Sequence, residues 1–544
     1  MPKPPPRIGQ FFIQASGNDL PPEVMDQLDD AIIEEDLEQP AMFALRFNDP
    51  KLSLIDGTLF RLGSEVKLGA ANPSGERKAI LVGEVTALEP CLEQNHITVV
   101  VRGYDRSHRL HRGSKTRTFL KRSDDDIAHQ IARDNGLRAD VEATAARYDY
   151  LLQNNQTDMA FLRERAAHIG YQVGVDDRTL RFRRAEKAPP ASVAQEWGTG
   201  LLAFRVRLSA VYQPNEVHVR GWDPQAKRAV VGKATRPEHA SRVGDAKNGG
   251  PVAEQAFGSA ATLIVTNQPV SNQKEATQMA QAQLDQQSGD YLTAEGRCLG
   301  EPSIRAGRTI EIGNMGKRLS GTYFVTAARH EYNAHEGYMT TFYVSGRRPT
   351  SLLASLQPTP PRGSACGVVI GIVTNINDPD QLGRVRVMFP WLDEQHETDW
   401  VRLALPGAGA SRGWQVLPEV DDEVLVAFEQ GDINRPFVLG GLWNGKDKPP
   451  ANAVQSGKVQ QRVFKTRAGH MITFDDSDSG GGITIKDKQG NLIKLDTGSN
   501  ALSIEVKGNL SLEAQGKIDI KGTGVSIDGG SGTVDVKGSM INLN

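Results

Sequence analysis

Residues 501–544 read ALSIEVKGNLSLEAQGKIDIKGTGVSIDGGSGTVDVKGSMINLN, and their spacing decides what kind of molecule this is. Apolar pairs recur at Leu502 and Ile504, Leu510 and Leu512, Ile518 and Ile520, Val525 and Ile527, Val534 and Val536, and Ile541 and Leu543. First members are separated by 8, 8, 7, 9 and 7 residues, and Gly508, Gly516, Gly522, Gly530 and Gly538 fall between pairs. Side chains two apart share one face of a strand, so each repeat predicts one strand of about five residues and a tight turn. A lone strand of this kind has two or three inward side chains and two open edges. One chain cannot bury that face. The pattern predicts a shaft made by several chains, these apolar residues forming its core and Lys, Asp, Glu and Ser facing out.

Composition agrees. The last 94 residues contain none of the 29 prolines, 6 tryptophans or 10 tyrosines, and Phe464 and Phe474 are their sole aromatics. A segment without proline keeps every amide free for strand pairing, and the shortage of aromatics suits a narrow core. Working back from this tail, 544 residues suggest three or four domains at roughly 100–200 residues each. With 63 Lys and Arg against 66 Asp and Glu, the net charge is −3, which argues against a chain that mainly binds nucleic acid. Mean hydropathy is −0.41, and no run approaches the roughly 20 apolar residues of a membrane-spanning helix. The opening MPKPPPRIGQ has no apolar core of a signal peptide, so cytoplasmic synthesis and assembly are expected. Cys91, Cys298 and Cys366 are odd in number and far apart, and read as reduced thiols rather than a disulfide framework or zinc site.

The first 350 residues predict a mixed α/β region. IGQFFIQAS, AMFALRFND and ITVVVRGYD alternate as half-buried strands do. The acidic stretch from Met25 to Glu38 reads as a short helix or a surface loop. Helices are expected in SDDDIAHQIARDNGL, capped by Ser123 and stopped by Gly136, and in TDMAFLRERAAHIGY, capped by Thr157 and stopped by Gly170. A third begins at Asn272, with Glu275 three residues on. TIEIG, GTYFVTAARHEY and MTTFYVS read as strands. The expected organisation is a hub-like region of two to three subdomains (1–355), a linker (356–367), a small barrel of the OB type (368–445), a neck (446–479) and the shaft (480–544).

Five constellations invite chemical readings. HEYNAH, from His330 to His335, nearly imitates the H-E-x-x-H of zinc hydrolases, but its histidines are five apart rather than four. The stretch from Arg102 to Arg122 is basic enough to meet phosphate or, better, an acidic protein partner, though an exposed loop or strand face is the favoured reading. Barrels of this type often bind single-stranded nucleic acid, and Phe389, Trp391, Trp400 and Trp414 lie near Arg384, Arg386, Arg402 and Arg412. Acids nevertheless outnumber bases in that barrel, so nucleic acid is not expected as a partner. PGAGASRG lacks the ending of a phosphate loop, and DDSDSGGG lacks the order of a calcium loop.

The barrel segments VTNINDPDQLGRVRVMFPW and GWQVLPEVDDEVLVAFEQGDINRPFVLGGLWNG, the hub segments LLQNNQTDMAFLRERAAHIGY and EGRCLGEPSIRAGRTIEIG, and YFVTAARHEY resemble the VgrG family. These are spike proteins of type VI secretion and related contractile injection particles, similar to phage hub and cell-puncturing proteins fused in one chain. The resemblance implies a mainly β multidomain homotrimer with a hub ring that docks the inner tube on the baseplate. It also implies a barrel collar and a triple-stranded intertwined β-helix that pierces a membrane on sheath contraction. Implied partners are the inner tube protein, baseplate proteins, a PAAR-type tip protein and effector cargo. No catalytic residue, cofactor or metal is expected: Trp443 to Gly480 has no room for an inserted lysozyme domain, and no H-x-H pair lies near the tip. A cell-wall hydrolase and a glycan-binding tailspike are the competing readings.

Overall fold

A computed structural model describes residues 11–542, apart from 72–74, 94–95, 145, 185–190, 192, 224–225, 239–240, 245–247, 271, 346–366, 393–395 and 479. The opening decapeptide, Cys366, nearly all of the 356–367 linker and the shaft residue Leu543 therefore lie outside the described residues. The chain divides into two compact units, Met1–Leu442 and Trp443–Asn544.

Alternating strands of the first unit assemble an eleven-stranded sheet. From one edge run Leu201–Leu208, Leu292–Leu299, Gly337–Val344, Ala327–Asn333, Leu28–Asp36 and Met42–Asn48. His96–Asp105, Arg77–Glu93, Glu65–Ala71, Phe11–Ala15 and Asn18–Asp19 complete it. Pairing Leu28–Asp36 with Ala327–Asn333 joins the two sequence ends of the hub region in one ladder. Phe43, Leu45, Phe47, Val99 and Val101 are buried on one side, as the alternation in AMFALRFND and ITVVVRGYD predicts.

The acidic stretch is a correction. Pro22–Met25 is one helical turn, but Leu28–Asp36 is a nine-residue strand in the middle of the sheet. Leu28, Ala31, Ile33 and Glu35 are its buried positions, and Arg305, 270 residues away, donates Nε to Glu35 Oε1 at 2.9 Å. A distant guanidinium thus neutralises the charge that disguises the strand. The segment GTYFVTAARHEY is likewise two strands, Gly321–Phe324 and Ala327–Asn333, in different sheets.

All three expected helices form, at Asp124–Asp134, Asp158–Ile169 and Gln273–Gly289. Ser123 and Asp126 make a reciprocal capping box, Thr157 and Asn272 cap the other two, and Gly170 closes the second in the left-handed region at φ 72°. The first two helices flank the ribbon of Lys115–Ser123 with Arg147–Gln156 and share a core around Phe119, Ile127, Phe161 and Phe182. The third covers the sheet formed by Glu216–Asp223, Arg228–Ala234 and Thr262–Val265.

The barrel strands run in the order Arg386–Met388, Val368–Asn375, Glu423–Phe428, Pro436–Gly441 and Arg402–Leu403. Bridges Val385 to Val401 and Met388 to Glu397 link the two ends of this order. Its core holds Val373, Val387, Val424, Val426 and Val438, but also Tyr150 and Leu152 from the hub ribbon. Asn434 Oδ1 accepts the Leu152 amide at 2.7 Å beside that contact.

Candidate functional site

The C-terminal unit carries a long succession of exposed apolar side chains. Gln461–Lys465, Met471–Asp475, Gly482–Lys486, Leu492–Asp496 and Ala501–Glu505 form an antiparallel meander in which each strand pairs with the next. The sheet starts inside the stretch read as a neck, and its strands pair within one chain up to Glu505. Local chemistry makes the hairpins: Asp487 Oδ1 accepts the amides of Gln489 and Asn491 at 2.9 Å, with Gly490 at φ 91° between them. At the next turn Asp496 Oδ1 accepts the Ser499 amide at 2.9 Å. The Lys494 ammonium, 2.7 Å from Asp496, holds that carboxyl below the usual range.

Register sorts the side chains. Directly opposed residues share a face, so Phe464, Ile472, Ile485, Ile493 and Ile504 form one apolar row, and Phe474, Ile483, Leu495 and Leu502 the next. The reverse face carries Thr473, Thr484, Lys494 and Ser503. Within the single chain the apolar rows are open: Phe474 is 47% exposed, Leu495 48% and Leu502 62%. Sequence reasoning placed Leu502 and Ile504 in the shaft core but missed the earlier rows. The period-two signal was present in MITFD, GITIK and LIKLD.

Beyond Glu505 the described residues run on without paired strands. Among the described residues from 508 to 542, the sole backbone–backbone hydrogen bond joins the Gly532 amide to the Gly529 carbonyl. Leu510, Leu512, Ile518, Ile520, Val525, Ile527, Val534, Val536 and Ile541 are all at least half exposed. Apolar side chains and backbone donors are thus open to solvent along the same segment.

Three of the constellations are accommodated by the fold. His330 is buried and Glu331 faces the opposite side of the strand Ala327–Asn333, paired with Arg329, while His335 lies past the strand end. These groups do not converge, and among the described residues no three His, Cys, Asp or Glu side chains gather as a metal site. Much of the basic stretch is internal: Arg106 reaches Glu65 at 2.6 Å and Asp177 at 2.8 Å, and Lys115 and Arg117 reach Asp158 at 2.6 and 2.8 Å. In the barrel, Phe389 is core, Arg386 lies over Trp400 and on Glu397, and Arg384 is held by Asp378, while Trp391 and Trp414 are exposed.

Two family models match the sequence. Residues 46–334, rather more than half of the chain, match the Alg8 N-terminal domain. Residues 369–443 match the type VI secretion system/phage-baseplate injector OB domain. The Pseudomonas aeruginosa type VI secretion system spike protein VgrG5 is 24% identical over 430 residues, 69% of this chain and 50% of that protein. The chain belongs to the Alg8 N-terminal domain family and is VgrG-like in sequence.

A second relative, VgrG1b of the same species, is 32% identical over 145 residues, 24% of this chain and 18% of its own length. This VgrG-type chain therefore spans half or less of the length of these curated relatives. Among solved structures, an E. coli component of the type VI secretion system, described as similar to T4 bacteriophage tail proteins gp27 and gp5, aligns with TM-score 0.51. It shares 14% identity and covers 79% of this chain and 99% of its own. The Francisella PdpA-VgrG complex, lidded form, aligns at TM-score 0.50 with 9% identity, covering 91% of this chain and 79% of that one. At such identities the likeness is one of fold: a phage hub-like region followed by an OB-type barrel. No helix among the described residues is long and apolar enough to cross a membrane.

Proposed function

We propose that this VgrG-type spike acts as a homotrimer that seats the inner tube on the baseplate and pierces a target membrane when the sheath contracts. The observation that carries the reading is the segment 508–542, extended, apolar at alternate positions and almost without backbone partners in one chain. Three such segments wound about one axis bury the Val, Ile and Leu pairs and supply each other's missing ladder bonds, forming a triple-stranded β-helix. A shaft paired along its whole length resists forced unfolding, which is governed by the barrier to unfolding rather than by equilibrium stability.

In this reading the chain is not an enzyme and uses neither cofactor nor metal. Its partners are the inner tube, baseplate proteins and a PAAR-type tip protein, with effector cargo carried along. The chain acts within an injection particle assembled in the producing cell. Multi-angle light scattering of the purified full chain tests the trimer. Three times the chain mass of 59.2 kDa is expected, and a stable monomer in native buffer would overturn the reading.

A further inference from the structure

Spacing separates the meander from the shaft. The apolar pairs of the meander are Ile472 and Phe474, Ile483 and Ile485, Ile493 and Leu495, and Leu502 and Ile504, and their first members stand 11, 10 and 9 residues apart. No two intervals are equal, so a shift between copies that matches one pair mismatches the others. From Leu502 onward the next two intervals are both 8. A shift of 8 residues there sets Leu502 and Ile504 beside Leu510 and Leu512, and these beside Ile518 and Ile520 of the next copy. The shift is even, so no side chain changes face, and Gly508 meets Gly516. Such a stretch has no register of its own. The distal intervals of 7, 9 and 7 disfavour the shift only once pairing has passed Ile520. Hub and barrel do not remove this freedom. Residues 443–460 join them to the meander and hold only the two-residue strands Val454–Gln455 and Lys458–Val459. Those 18 residues reach roughly 60 Å when extended, against about 27 Å for a shift of eight residues.

We propose that the meander is the element that sets the register of the shaft. Its strands pair within one chain, so it forms before the copies wind together, and its unequal intervals admit one alignment between them. Pairing then spreads from Glu505 toward the C-terminus, each repeat aligned by the one before it. The proposal rests on the trimeric reading and adds to it the direction in which the shaft closes. An array of like repeats can otherwise nucleate anywhere and propagate, and a nucleus formed between Leu502 and Ile520 in the shifted alignment would trap the copies out of step.

Two full chains that differ by one cysteine, Leu510→Cys in one and Ile518→Cys in the other, read the register when co-expressed and treated with a mild oxidant. Copies in register form like links, position 510 to 510 or 518 to 518, whereas a shift of one repeat forms mixed links, 510 to 518. Mass spectrometry of the linked peptides separates the two kinds. Asp487→Ala with Gly490→Val removes the acceptor of two turn amides and forces a branched residue into φ 91°. Placed in both chains, it should leave them trimeric by light scattering and raise the ratio of mixed to like links at least fivefold. Asp496→Ala, which removes the acceptor of the Ser499 amide, is the milder variant and should raise the ratio less. An unchanged ratio in both variants overturns the proposal. So do variants that fall into single chains, because the meander would then hold the copies together rather than align them. A parent pair that is trimeric but gives no like links overturns the inward placement of Leu510 and Ile518, and a parent that is monomeric overturns the trimeric reading itself.

Discussion

His330 shows how far a side chain can be from the role its neighbours in sequence suggest. Its imidazole is fully buried, with Nδ1 2.7 Å from the Tyr338 hydroxyl and 3.2 Å from Thr340 Oγ1. Burial, reinforced by the nearby Arg305 guanidinium, pushes its pKa down to about 3. A folded-state pKa below the ordinary 6.5 means that the unfolded chain takes up the proton first. The stability tied to neutral His330 is therefore complete above pH 6.5 and is lost as pH falls toward 3, with a slope of at most about 1.4 kcal/mol per pH unit. Urea midpoints measured from pH 7 to pH 4 should fall less steeply for His330→Gln than for the native chain. Equal slopes would show that this imidazole does not titrate between the two states. The motif HEYNAH was legible as a false metal site because its spacing is wrong. Where its histidine goes was not legible, since that depends on Tyr338 and Thr340 of the neighbouring strand.

Elements were legible where their signal is local. Ser123, Thr157 and Asn272 each mark a helix start through a side chain that accepts an amide within three residues. Leu28–Asp36 was illegible because the partner of Glu35 is a residue from the far end of the hub. The meander lies between these cases, with alternation visible and hairpin pairing not. Its two faces make opposite predictions. Phe474→Asp places a charge in the apolar row beside Ile483, and a buried, unpaired charge is costly once other chains cover that row. Thr484→Asp places the same charge on the polar face. Thermal melting followed by light scattering should show earlier trimer loss for the first variant and little change for the second. Equal effects would mean that the apolar rows are not the covered face.

At the scale of the whole molecule, the hub-like and barrel folds could be read from segments, but a repeat with no partners of its own does not specify its strand pairing. Ile518, 53% exposed in one chain, is the sharpest probe. Ile518→Asp should bring several carboxylates together on the shaft axis and lower the trimer melting temperature by several degrees, while hub circular dichroism stays native. Trimers that melt unchanged would show that the alternation faces the other way. The hub and barrel carry a different lesson about modularity. Tyr150 and Leu152 complete the barrel core from a strand more than 200 residues upstream of the first barrel strand. A recombination breakpoint between residues 346 and 366 would look harmless in the sequence, yet it would separate the barrel from two of its own core residues. Exchange of spike modules between relatives is then expected to break after the barrel, leaving residues 106–442 to be inherited as one block.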